Sequence, residues 1–255
     1  MDRLLEATAR AEQDHFWFRG FRRFVTPVLE RVAQGRAPLR ILDCGCGTGN
    51  NLTLLRRYGH AYGIDITWSG LAYARGRGER QVARASATCL PFPRETFDLV
   101  ASFDVLYAFD DGMERAALEE MFRVLRPGGH LLVNVAALKA LVGNHSVLGG
   151  EVRRYHRHEL RDHLARTGFE VKRITYTNFS LLPIVASVRF AQRLAGYRES
   201  DREMSVPSAP VNAALSGALA VEAAALKLVN MPLGSSLLAL ARRPAINGTS
   251  AQSAS

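Results

Sequence analysis

The chain is poor in cysteine, in lysine and in long apolar runs, and each shortage removes a class of answer. Only Cys44, Cys46 and Cys89 occur among 255 residues, and no two form a C-x-x-C pair. Neither a disulfide framework nor a four-ligand zinc site is therefore expected, and no metal is assigned. The three read as small, partly buried thiols in a reducing, cytoplasmic setting. The longest uncharged stretch, 204–221, carries two prolines, Asn212, Gly217 and three serines. It is a poor membrane span, because roughly 20 predominantly apolar residues are wanted. Residues 1–8 include Asp2, Arg3 and Glu6 with no apolar run behind them, so no secretion signal is expected. Three lysines leave arginine to supply nearly all the positive charge behind a net +9. The arginines fall in scattered pairs (Arg22-Arg23, Arg56-Arg57, Arg153-Arg154, Arg242-Arg243), a solvated basic surface rather than a strong nucleic-acid signal.

What is present centres on residues 39–52. A short apolar run from Leu39 ends at Asp43, Gly45, Gly47 and Gly49 follow at alternate positions, and a helical pattern starts at Leu52. Strand, glycine-rich turn, helix is the opening unit of a nucleotide-binding α/β sheet, in which ligands sit at the carboxyl ends of strands. A dinucleotide fingerprint would read G-x-G-x-x-G, but Asn50 stands where its third glycine would fall. Asp43 would repel a pyrophosphate and could receive a cationic amino group. The next strand, Ala61–Asp65, ends in a second acid suited to a ribose diol.

These features together resemble motif I and the following acidic position of the class I S-adenosylmethionine-dependent methyltransferases, in the branch similar to methyltransferase type 11. Later segments extend the resemblance to about residues 13–245. Ala85–Phe92 is similar to the family's "G-D-A-x-x-L-P-F", although Ser86 stands at the acid's place. Phe97-Asp98-Leu99-Val100 with Val105-Leu106, Leu125–Val135 with its Arg-Pro-Gly-Gly, and Thr167-Gly168-Phe169 also match. The resemblance implies a Rossmann-like, seven-stranded, doubly wound sheet whose last strand is antiparallel. It implies S-adenosyl-L-methionine as cofactor, with Asp43, Gly45, Gly47 and Gly49 around the methionine part and ribose. Asp65 would take the ribose hydroxyls, Ile66 would pack on adenine, and Ser86 with Ala87 would hold the adenine edge. Phe103 opens the exit where the transferred methyl would project. His15-Phe16-Trp17-Phe18 resembles the entry of a subgroup in which a nearby arginine faces the methionine carboxylate; Arg22 is preferred for that part. Relatives often carry histidine at the place of Tyr107, so no catalytic base is assigned.

The remaining elements follow from periodicity and punctuation. Helices are expected over 2–14, 21–34, 69–77, 113–125 and 157–167, the fourth with Met113, Ala117, Met121 and Val124 on one side. Arg126–Gly129 reads as a helix stop and turn before a fifth strand, 130–135. The irregular stretch 136–154 and its flank hold weak substrate-binding candidates: Tyr107, His145, Tyr155 and His156, with Glu151 beside them. Residues 178–231 form a helical insertion before the last strand, 236–241, with an apolar helix (181–194), a proline-containing hinge and an alanine-rich helix (211–230). The insertion is read as an active-site cap, with dimerisation or peripheral membrane contact as the other uses. The divisions are thus 1–37 (N-terminal helices or lid), 38–177 with 232–245 (methyltransferase domain), 178–231 (insertion) and 246–255 (disordered tail). The expected activity is methyl transfer to a small-molecule or lipid-like acceptor, at oxygen. The alternatives are an RNA or protein acceptor, or a non-catalytic scaffold subunit that keeps the fold.

Overall fold

Short apolar strands that pair in parallel need crossover connections, and the crossover helices cover both faces of the sheet. The computed structural model, which describes residues 9, 11–138, 151–184, 187 and 206–245, has this architecture. In order along the chain come α1 (Phe16–Ala33), β1 (Leu39–Cys44), α2 (Asn50–Leu55), β2 (Gly59–Asp65), α3 (Trp68–Gly76), β3 (Val82–Arg84) and β4 (Phe97–Phe103). Then follow α4 (Asp111–Val124), β5 (Leu125–Ala136), α5 (Arg157–Arg166), β6 (Glu170–Thr177), α6 (Ala209–Ala225) and β7 (Ser236–Arg242). The strands form one sheet in the order β3-β2-β1-β4-β5-β7-β6. Strand β7 is antiparallel to both neighbours, and the other pairings are parallel. The doubly wound sheet with a reversed last strand is as the sequence resemblance implies.

The strands are buried on both faces, so two cores result. On one, α4 and α5 set Leu118, Met121 and Leu164 against Val100, Leu131 and Val133. On the other, α1 and α6 set Phe24, Leu29 and Leu219 against Leu99, Leu132 and Leu238. Helix α6 lies along α1, and Leu219 fills the space that Gly20 leaves: a Cβ there would stand 2.3 Å from Leu219 Cδ1. The side chain of Asn212 accepts from Phe16 N (2.8 Å) and donates to Asp14 O (2.8 Å), tying the first turn of α6 to the start of α1.

Five expectations need correction. Helix α1 begins at Phe16 rather than Phe21, because His15 caps it by accepting from Trp17 N at 3.2 Å. The Arg-Pro-Gly-Gly segment is not a turn outside the sheet. Leu125 already pairs with Phe97, and a bulge with Gly128 at φ +79° carries the strand on to His130. In α4 the inward position is held by Glu114, 1% exposed, while Met113 is 44% exposed. The alanine-rich helix stops at Ala225, where the Arg173 guanidinium takes the carbonyls of Leu226 and Val229. Cys89 is exposed, unlike Cys44 and Cys46. The tail 246–255, most of 2–14 and most of the expected helix 181–194 lie outside the described residues.

Glu114 explains its own burial. Its carboxylate accepts from Arg153 (2.6 Å) and from the Tyr155 hydroxyl (2.9 Å), and lies 2.9 Å from His163 Nδ1. One acid thus joins α4, the 151–155 segment and α5. Glu114→Ala would leave Arg153 and Tyr155 without their partner, and is expected to cost about 3–5 kcal/mol of folding free energy. Urea unfolding measures it, and a loss below about 1 kcal/mol would contradict this role.

Candidate functional site

The site is built where β1, β2 and β4 end side by side. Asp43 pairs in register with Gly63 and Ala101 at that edge. It is fully buried, and among the described residues neither carboxylate oxygen has a hydrogen-bond partner. Loss of water, reinforced by the nearby Asp65, pushes its pKa up to about 7. A buried acid with no partner is costly, and native proteins keep such groups at sites that bind something.

The glycine turn leaves room for the ligand. Gly45 lies at φ +83°, and a Cβ there would meet Val105 Cγ2 at 2.2 Å, so the turn and the β4 exit touch at this residue. Gly47 faces open space and donates its backbone N–H to Asp65 Oδ2 at 2.8 Å. The other Asp65 oxygen accepts from Thr67 N (2.8 Å) and Thr67 Oγ1 (2.5 Å), which holds the carboxylate at the end of β2. Beside it Ile66 and Trp68 are 63% and 61% exposed, large apolar groups left uncovered next to an acid. Ser86 Oγ lies 2.7 Å from Thr88 Oγ1, and Ala87 is buried. The set fits S-adenosylmethionine: an unpaired carboxylate for an ammonium, a pinned carboxylate for a diol, an open backbone turn and an exposed apolar face.

The 11–15 stretch lies across this turn. Thr48 Oγ1 donates to the buried Glu12 carboxylate at 2.5 Å, and Arg77 reaches its other oxygen at 2.6 Å. Arg22, the expected carboxylate partner, donates to the carbonyls of Glu12 (3.0 Å) and Gln13 (3.3 Å). Phe21 meets the buried Phe103 edge-on at 5.0 Å, which seats α1 on the end of β4.

The acceptor side holds a residue that the sequence reading passed over. Asp104 follows Phe103 directly, in the left-handed region at φ +58°, and is exposed at the mouth. Such a conformation in a residue other than glycine is often kept at functional sites. Asn134 at the end of β5 donates to Asp104 Oδ1 at 2.9 Å. The surrounding protein and the Glu151 charge raise the Asp104 pKa and the Asn134 hydrogen bond opposes them, while the side chain itself stays open to water. Tyr107 is half-buried there, and burial first, then Asp104 and Glu151, pushes its hydroxyl pKa up. Glu151 is gripped by Arg154 through two contacts of 3.0 and 3.1 Å. Asp104 could have been found from its place at the strand exit; its partners, 30 and 47 residues away, could not.

The remaining candidates separate. Tyr155 is 1% exposed and belongs to the Glu114 network, which places it inside the helix-covered core. His156 precedes α5, where its backbone N–H donates to Glu159 at 2.8 Å. His145 lies outside the described residues. Among the described residues no group of acids, histidines and cysteines could hold a metal ion, and no helix is long and apolar enough to cross a membrane.

Comparison with known proteins agrees with this geometry. A family model described as "Methyltransferase domain" matches residues 42–133, the segment from β1 to β5. A protein of Mycolicibacterium smegmatis named as a probable S-adenosylmethionine-dependent methyltransferase is 29% identical over 164 residues, 63% of this chain and 62% of that one. The Homo sapiens protein named probable tRNA methyltransferase 9B is 37% identical over 100 residues, 39% of this chain and 22% of that one. The chain thus spans less than two thirds of either relative. Among solved structures, a chain from the complex of the Haloferax volcanii Trm112 methyltransferase activator with a methyltransferase superposes with a TM-score of 0.61. The match covers 96% of each chain at 19% identity, a likeness of fold. Residues 42–133 thus carry a methyltransferase domain of the S-adenosylmethionine-dependent kind, within a sheet that has the strand order and reversed last strand given above.

Proposed function

We propose that the protein transfers the methyl group of S-adenosylmethionine to a hydroxyl oxygen of a small-molecule or lipid-like acceptor, with Asp104 taking the hydroxyl proton. The observation that carries the acceptor reading is the charge left at the mouth. Arg153 is held by Asp111 (2.5 Å) and Glu114 (2.6 Å), and Arg154 by Glu151. Among the described residues these two cations are therefore engaged, while Asp104 presents a carboxylate near the half-buried Tyr107, whose carbonyl holds the exposed Val152. A partly apolar neutral acceptor suits this mouth better than a phosphate chain.

When bound, S-adenosylmethionine supplies an electrophilic methyl on a sulfonium and leaves as the neutral thioether. Asp43 would receive its ammonium, Asp65 its ribose hydroxyls and Ile66 its adenine face. Asp104, as the carboxylate, would accept the proton as the acceptor oxygen bonds to the methyl carbon, its raised pKa making it a better base than an ordinary aspartate. Asn134 orients that carboxylate, and Tyr107 keeps its proton and so can donate to the acceptor. The 11–15 stretch and the aromatic start of α1 would exclude water, so that alignment does much of the catalytic work.

A second reading, an RNA acceptor, is favoured by the 37% identity to a protein named for tRNA methylation and by the net charge of +9. Formation of S-adenosylhomocysteine over a panel of hydroxylated small molecules and lipids, with tRNA in parallel, distinguishes them. Turnover with a hydroxyl acceptor is expected, and turnover with tRNA alone would overturn the proposal. Asp104→Asn should lower kcat by about 10²–10⁴-fold while cofactor affinity stays within about twofold.

The cofactor side makes its own prediction. Because the free protein holds Asp43 near pKa 7, an incoming ammonium must first displace a proton at lower pH. Affinity for S-adenosylmethionine should fall by about tenfold per pH unit below roughly pH 7 and level off above it. Asp43→Asn should weaken binding and flatten that slope; an unchanged slope in the variant would assign the proton elsewhere.

A further inference from the structure

A cavity of about 240 Å³ lies between α1, α6 and the β5-β7-β6 part of the sheet. It shares no residue with the cofactor turn. Helix α1 runs from Phe21 at the site down to Phe24 and Val28, which line the cavity with Leu132, Leu226, Leu238 and Leu240. The side chain of Thr175 is the polar group in the wall, and it is already engaged by Tyr176 O (3.1 Å) and Met231 N (2.9 Å). The inner wall is otherwise apolar and offers water little to bond to.

The rim has the opposite character. Arg31, Arg173 and Lys227 border the cavity against one carboxylate, Glu30. Among the described residues no acid forms an ion pair with any of the three cations. Arg173 spends its Nε on Asn230 Oδ1 (2.8 Å) and one guanidinium nitrogen on carbonyls at the end of α6. Burial and the neighbouring Arg31 both push its pKa down, so a negative group between the two arginines would relieve repulsion.

We propose that this cavity is a binding site for a single-chain anionic amphiphile, its hydrocarbon tail inside and its anionic head between Arg31, Arg173 and Lys227. A cavity of about 240 Å³ bordered by cations suits a short tail with its head at the rim, which points to a medium-chain carboxylate. The site is separate from the cofactor site and does not rest on the proposed acceptor.

Calorimetric titration of the full chain with sodium decanoate, decan-1-ol and S-adenosylmethionine tests it. Decanoate should bind with 1:1 stoichiometry, at least tenfold more tightly than the alcohol, and without competition from the cofactor. Ala223→Trp, which fills the cavity, should abolish decanoate binding and leave cofactor affinity unchanged. Arg31→Glu, on an exposed position of α1, should weaken decanoate at least tenfold and keeps the test decisive if the tryptophan variant does not fold. The proposal is overturned by absence of saturable decanoate binding, by equal affinity for the alcohol, by displacement with S-adenosylmethionine, or by folded variants that bind as the parent does.

Discussion

A buried carboxylate with nothing to pair with is the constraint on which this structure turns. Asp43 sits at the end of the central strand, fully buried and without a hydrogen-bond partner among the described residues, with Asp65 close enough to raise its pKa further. In the free protein its folded-state pKa exceeds the unfolded value. Its contribution to stability is therefore fully favourable below about pH 4 and is lost as pH rises towards 7, on the order of a few kcal/mol. The glycine turn, the β2 acid and the stretch laid over Thr48 all surround this one charge. A cationic amino group would turn that liability into affinity, which makes cofactor binding and local stability a single electrostatic problem.

The acceptor end is built by a different device. Asp104 is not buried in apolar packing but held at a strand exit by Asn134, beside Tyr107 and Glu151. Val152 and Arg153 donate to the Tyr107 carbonyl at 2.9 and 3.1 Å, which docks the 151–155 segment against the β4 exit. That segment is anchored in turn by Glu114, inside α4, through Arg153 and Tyr155. The two residues thus serve the site from behind, by deciding where Glu151 and Arg154 stand.

The sequence exposed what is local and hid what depends on distant partners. Strand, turn and acid at 39–49 and the acid at 65 are encoded by adjacent residues and were readable, and the doubly wound sheet with its reversed last strand followed from the resemblance they carry. Asp104 needed Asn134 and Glu151 to become distinctive. Glu114 carried no local signal, because its partners Arg153, Tyr155 and His163 are 39, 41 and 49 residues away, and Tyr155 looked like a substrate contact for the same reason. The length of β5 was missed because a proline and two glycines read as a stop, whereas the bulge at Gly128 keeps the chain in the sheet. Arg22, expected to face the ligand, also donates to carbonyls ten and nine residues back, contacts that the sequence alone did not show.

The most direct measurement is calorimetric titration with S-adenosylhomocysteine on the parent protein and on Asp65→Ala. The account predicts saturable 1:1 binding, weakened in the variant by about 1–3 kcal/mol, the cost of losing a partner for buried polar groups. A parent protein that binds nothing, or a variant that binds equally well, would contradict the reading of the β1–β2 edge as a cofactor site.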